Sequence, residues 1–266
     1  MEVIYGNSET PSRGYQGARV SEVECRAHLQ NEVKDNLLDR EETNAMLESL
    51  RTLESDTGFT QNDQLMADIQ ALEDDTVNTR DFRIGEAYAE IFLEENFQCR
   101  FHWNELRDAR NPKGSKHGAD LVGFIEVDGQ VLFLFGEVKT SSEDTRPPQV
   151  MTNNDGMENQ LRDLYASREK RRILINYLQN KARLLSEGHP FKTDLEAGIR
   201  SYYSEDGAYQ LFGVLVRDVE PYEQDVSVPY ERLKEQILAS TGLKLLALYM
   251  PIPKKEWLNI INEQEE

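Results

Sequence analysis

The residues of this chain whose types and spacing could do chemistry are Asp120, Glu137 and Lys139. Two carboxylates brought face to face repel, and such a cross-strand pair destabilises a fold. A shared divalent cation offsets that repulsion, and Lys139 adds positive charge beside it. Hard oxygen ligands without His or Cys suit Mg²⁺ or Mn²⁺. A metal held by one or two carboxylates keeps several waters, which is the usual arrangement for phosphate chemistry. It polarises a phosphoryl oxygen and lowers the pKa of a bound water. The chemistry expected is hydrolysis of a phosphodiester by in-line attack of water. Asp120 and Glu137 position the metal, and Lys139 orients the water and stabilises developing charge. The same letters also fit an ordinary ion network at a solvated hairpin end, so the elements that carry them decide.

Those elements are two apolar runs, 119–127 and 130–140, joined by Asp128 and Gly129. Asp-Gly between apolar runs is a strong hairpin signal and favours a two-residue type I′ turn. Val127 then faces Gln130, and the same register sets Asp120 opposite Glu137. Side chains alternate with period two, so Asp120, Glu137 and Lys139 share one face. Val122, Phe124, Val131, Phe133 and Phe135 belong to that face, and Leu121, Ile125, Leu132, Leu134 and Val138 to the other. A strand pair apolar on both faces belongs in the centre of a covered sheet.

Around the hairpin, helical and strand patterns alternate. Residues 83–97 place Ile84, Tyr88, Ile91 and Phe92 at helical spacing. A strand is expected at 99–106, then a turn-rich loop at 109–118. A long helical stretch is expected from Met157 to Leu185, a strand at 209–219, a helix at 229–240, a strand at 243–250 and a last helix at 254–262. Helices alternating with apolar strands imply an α/β sandwich. Residues 1–20 are weakly patterned, and 21–75 read as two or three polar helices. Two regions are therefore expected: an acidic, mainly helical N-terminal extension over 1–78, suited to partner docking or regulation, and the catalytic domain over 79–266.

The 266 residues carry a net charge of −19. That argues against a protein that grips nucleic acid by itself, because backbone binding needs cationic surface. The charge is uneven. Residues 21–75 hold fifteen acids against four bases, whereas 98–117 hold five bases against two acids. Arg110, Lys113, Lys116 and His117, just ahead of Asp120, could touch a phosphate. So could Arg168, Arg171 and Arg172 on the later helix. The two cysteines are far apart and the four histidines scattered, which points away from zinc. No apolar stretch is long enough to span a membrane, and the opening residues lack the pattern of a signal peptide. A reducing cytoplasm is the simplest home. With no GxxxxGK[ST] phosphate loop, the chain supplies no NTP motor of its own.

The hairpin trio resembles the PD-(D/E)XK nuclease superfamily over roughly residues 80–180. The resemblance rests on Gly85, Glu86 and Glu90 in the preceding helix, on Gly118-Ala119-Asp120, and on Gly136-Glu137-Val138-Lys139-Thr140. It implies a restriction-endonuclease-like αβββαβ core with a central mixed sheet flanked by helices. It also implies that Asp120, Glu137 and the Val138 carbonyl bind metal and that Lys139 assists the water. A Glu from the helix often joins them; Glu86 and Glu90 share a helix face, and Glu90 is the preferred candidate. A glutamine on the helix after the lysine strand is common, and Gln160 fills that place. Tyr165 lies five residues on rather than the four of the exonuclease branch, so its role is not carried over. At finer grain the chain is similar to the HamA nuclease subunits of Hachiman anti-phage defence, which implies a DNA substrate and a helicase as partner. A nuclease fold kept only for docking, and an acidic DNA mimic, are the competing readings.

Overall fold

The computed structural model describes residues 1–55, 60, 62–108 and 118–263. Their strands form one seven-stranded mixed sheet in the order β1-β2-β7-β6-β5-β4-β3. The strands are β1 (Glu2–Thr10), β2 (Arg13–Arg19), β3 (Cys99–Arg100), β4 (Leu121–Val127), β5 (Gln130–Ser141), β6 (Gln210–Arg217) and β7 (Gly242–Tyr249). The β3-β4-β5 meander is antiparallel, whereas β5, β6, β7 and β2 run parallel to one another.

One face of the sheet is covered by α1 (Glu22–Gln30), α2 (Glu32–Leu38), α5 (Asp81–Phe97) and α11 (Lys254–Ile261). The other carries α6 (Gln149–Thr152), α7 (Met157–Ala166), α8 (Arg168–Ala182), α9 (Pro190–Tyr202) and α10 (Gln224–Lys234). The alternation expected of the hairpin is what separates the two cores. Leu121, Ile125, Leu132, Leu134 and Val138 pack under α5, and Val122, Phe124, Phe133 and Phe135 pack under α7 to α9. The order α5-β3-β4-β5-α7-β6 reproduces the expected αβββαβ core inside a larger α/β sheet.

Several elements differ from the sequence reading. The first twenty residues form the β1–β2 hairpin, and β2 pairs with β7 from Arg13↔Leu243 to Arg19↔Tyr249. Their apolar content is too low for a periodic signal, and the neighbour that makes them strands lies more than 220 residues away in the chain. Helices α1 to α4 number four, with α3 (Arg40–Ser55) and α4 (Asp63–Glu73) packed on each other and contributing to neither core cluster. The strand expected over 99–106 stops at Arg100, because the next backbone N–H, on Phe101, donates to the Glu94 side chain instead. The long helix expected over 157–185 breaks at Ser167, whose hydroxyl caps α8 by accepting from the Lys170 N–H at 3.2 Å. Pro229 lies inside α10 rather than at its start.

Candidate active site

The hairpin turn has Asp128 at φ 51° and Gly129 at φ 76°. Two consecutive positive φ values are what a type I′ turn requires, and Asp and Gly tolerate them best. The ladder runs from Val127↔Gln130 to Leu121↔Gly136, so the expected register is the observed one. Asp120 lies one step beyond the last pair, where β4 has ended, and its Oδ2 accepts from the Val138 N–H at 3.0 Å. The N–H and C=O of one strand residue point the same way. The Val138 carbonyl therefore faces the edge that Asp120 occupies, while its side chain is buried under α5.

Glu137 is only 2% exposed. Its carboxyl stands within hydrogen-bonding reach of Asp120, and Lys139 Nζ is 3.6 Å from its Oε2. Burial raises the Glu137 pKa first and the neighbouring Asp120 charge raises it further; Lys139 opposes both, and the balance is a value of about 9. A carboxyl this far from its ordinary range marks a place short of positive charge. Asp120 and Glu137, with the Val138 carbonyl on the same edge, offer the all-oxygen donors that fit a single hard divalent cation retaining waters.

Helix α7 closes one side of the site. Glu137 is paired in the sheet with Gly213, and a Cβ at Gly213 would lie 2.4 Å from Met157 Sδ and 3.1 Å from Leu161 Cδ1. The missing side chain lets α7 rest directly on the sheet beside Glu137. A polar cleft of about 490 Å³ results, lined by Gly118, Glu137, Asn154, Gln160, Arg162 and Lys170 among others. Gln160, expected from its place after the lysine strand, thus shares the cleft with Glu137. Its Oε1 is buried without a hydrogen-bond partner.

Not every expected residue joins this group. Helix α5 packs on the other face of the sheet, with Gly85 against Thr140, so Glu86 and Glu90 start from the face opposite Glu137. Glu86 is buried against Arg83 at 2.7 Å, and Glu90 accepts from Asn36 Nδ2 on α2 at 3.2 Å. No three His, Cys, Asp or Glu side chains among the described residues cluster as metal ligands. Of the second basic run, Arg168 and Arg172 are exposed, and Arg172 pairs with Glu169 at 4.0 Å. Arg171 is instead turned inward. It donates to the carbonyls of Leu164 and Tyr165 at the end of α7, bonds Tyr202 and stacks 4.6 Å from the Tyr209 ring centre. That guanidinium fastens the α7–α8 break and is not available to a nucleic acid. Arg110, Lys113, Lys116 and His117 lie outside the described residues. Sequence reasoning missed Asn154 and Arg162 as cleft residues; the only signal was that Arg162 lies two positions past Gln160 on a helix whose apolar face is Met157, Leu161 and Leu164.

Among the described residues, no helix is long and apolar enough to cross a membrane. No curated protein matches the chain in sequence. The HamA family model, however, matches residues 19–259, a span that takes in the site, both sheet faces and nearly all the helices. By that match the chain belongs to the HamA family of Hachiman anti-phage defence.

Proposed function

We propose that this chain is the metal-dependent nuclease of a Hachiman defence complex, hydrolysing phosphodiester bonds of DNA. The observation that carries the reading is a buried Glu137 held beside Asp120 and Lys139 at an open polar cleft. The αβββαβ core and the Asp120…Glu137-x-Lys139 arrangement support membership of the PD-(D/E)XK superfamily. Asp120, Glu137 and the Val138 carbonyl would hold Mg²⁺ or Mn²⁺. The bound ion supplies polarisation of the phosphoryl oxygen and a lowered pKa for water. Glu137 would release its proton to solvent on taking up the ion. Lys139 orients the attacking water and stabilises negative charge as it develops. Gln160 presents its unpartnered carbonyl within the same cleft, where it can hold water or substrate in line.

A fold retained only for docking, or an acidic DNA mimic, gives no reason to bury opposed carboxylates beside a lysine. The partner in this proposal is a helicase, because a chain of net charge −19 needs a cationic companion to grip DNA. The decisive experiment is cleavage of supercoiled plasmid, with labelled RNA in parallel, by the chain together with its co-purified partner in Mg²⁺ or Mn²⁺. Glu137→Ala and Lys139→Ala should each lower the rate by about 10² or more. Wild-type cleavage by Glu137→Ala would overturn the reading.

A further inference from the structure

We propose that Arg162 binds a backbone phosphate of the nucleic-acid strand held in the cleft; this rests on the nuclease reading and names a residue of that site's substrate contact. The cations facing the cleft are not equivalent. Lys170 is 3.1 Å from Asp163, and Lys139, 3.6 Å from Glu137, is not among the lining residues. Arg162 forms no ion pair within the described residues. The acid one helical turn before it, Glu158, is already bonded by Arg232 at 3.3 Å. The Arg162 Nε is moreover buried with no hydrogen-bond acceptor.

In a chain with 49 acids and 30 Lys and Arg, a guanidinium that lines a cleft and bonds no carboxylate, its charge felt only at longer range by Glu158, is a selective site for an anion. Buried donors are normally satisfied, and each unmatched one leaves a desolvated group awaiting an acceptor. The planar fork of Arg matches the oxygens of a phosphate. The rim adds selectivity of a second kind. Asp155 is exposed there and carries a charge that repels a strand, while the charge of Asp163 is neutralised by Lys170. Among the described residues that line the cleft, attraction therefore falls to Arg162 until a metal is bound. Contact through phosphate oxygens reads no base, so the interaction is sequence-neutral.

The test is binding of a fluorescein-labelled duplex of about 20 base pairs to the chain together with its co-purified partner, with Ca²⁺ in place of Mg²⁺, across a series of KCl concentrations. One phosphate contact contributes about 0.9 to the slope of log affinity against log salt. Arg162→Gln should therefore flatten the slope by about one and weaken binding about eightfold at 0.1 M salt. Arg162→Lys should keep the slope while binding severalfold more weakly, because the charge stays and the planar fork is lost. Should the Gln variant fail to fold, the Lys variant carries the test, and unchanged affinity there overturns the proposal. Cleavage measured alongside separates the two levels. If wild type cleaves, Glu137→Ala does not, and Arg162→Gln keeps both slope and KM, the Arg162 assignment alone is wrong. If wild type neither binds nor cleaves, the nuclease reading fails and Arg162 with it.

Discussion

Replacing Glu137 by Gln removes a titration while keeping the shape of the side chain, and the structure sets the size of the consequence. In the unfolded chain a glutamate ionises near its ordinary pKa of 4.5, whereas in the fold Glu137 holds its proton up to about 9. Between those values the folded state binds one more proton than the unfolded state. Stability then falls as pH rises, by about 1.4 kcal/mol per pH unit. The side chain is 2% exposed, so solvent screening leaves this nearly undiminished. From pH 6 to pH 8 the metal-free wild type should lose about 3 kcal/mol at this one group, and Glu137→Gln should lose none of it. Below about pH 4.5 both states are protonated and the penalty vanishes. The assay is urea unfolding of both proteins in EDTA at pH 6, 7 and 8; all other titrations are common to the two and cancel in the difference. Glu137→Gln should become the more stable protein as pH rises. Added Mn²⁺ at pH 8 should recover stability in wild type only, since the cation takes the place of the proton between the two carboxylates. Parallel pH profiles for the two proteins would refute the claim that Glu137 is held protonated against Asp120.

Two further outcomes follow from the packing and the charge map. Gly213→Ala should cost about 1–2 kcal/mol in urea unfolding, because its Cβ would meet Met157 Sδ at 2.4 Å and Leu245 Cδ2 at 2.6 Å, and those side chains can give only part of the space; cleavage should fall as α7 is displaced from Glu137, and unchanged stability would show that α7 does not rest on the sheet there. Helices α3 and α4 add nothing to either core cluster yet expose Met46, Met66 and a run of acids, which suits docking to a basic partner surface. Joint substitution Glu42→Gln, Glu48→Gln and Asp68→Asn should leave urea stability unchanged and weaken capture of the proposed helicase partner several-fold at low salt; undiminished capture would exclude this hairpin as the docking surface.

The sequence by itself determined the hairpin and the trio it carries. A two-residue Asp-Gly turn and a period-two alternation are local rules, and together they fix which residues oppose one another. The register from Val127↔Gln130 to Leu121↔Gly136 needed nothing from elsewhere in the chain. The helix–strand order from α5 to β7 was legible for the same reason, since each element bears its own periodic stripe. Tertiary structure decided what depends on distant partners. β2 is a strand because β7 lies beside it, and β1 because it folds back on β2, not because their composition says so. Arg171 and Arg172 are adjacent letters, yet one is drawn inward by the carbonyls ending α7 and the other stays in solvent. Glu86 and Glu90 share a helix face by spacing, yet Glu86 pairs with Arg83 and Glu90 accepts from Asn36. The proton on Glu137 also belongs to this second group, because desolvation is a property of everything packed around a carboxyl and no spacing of residues encodes it.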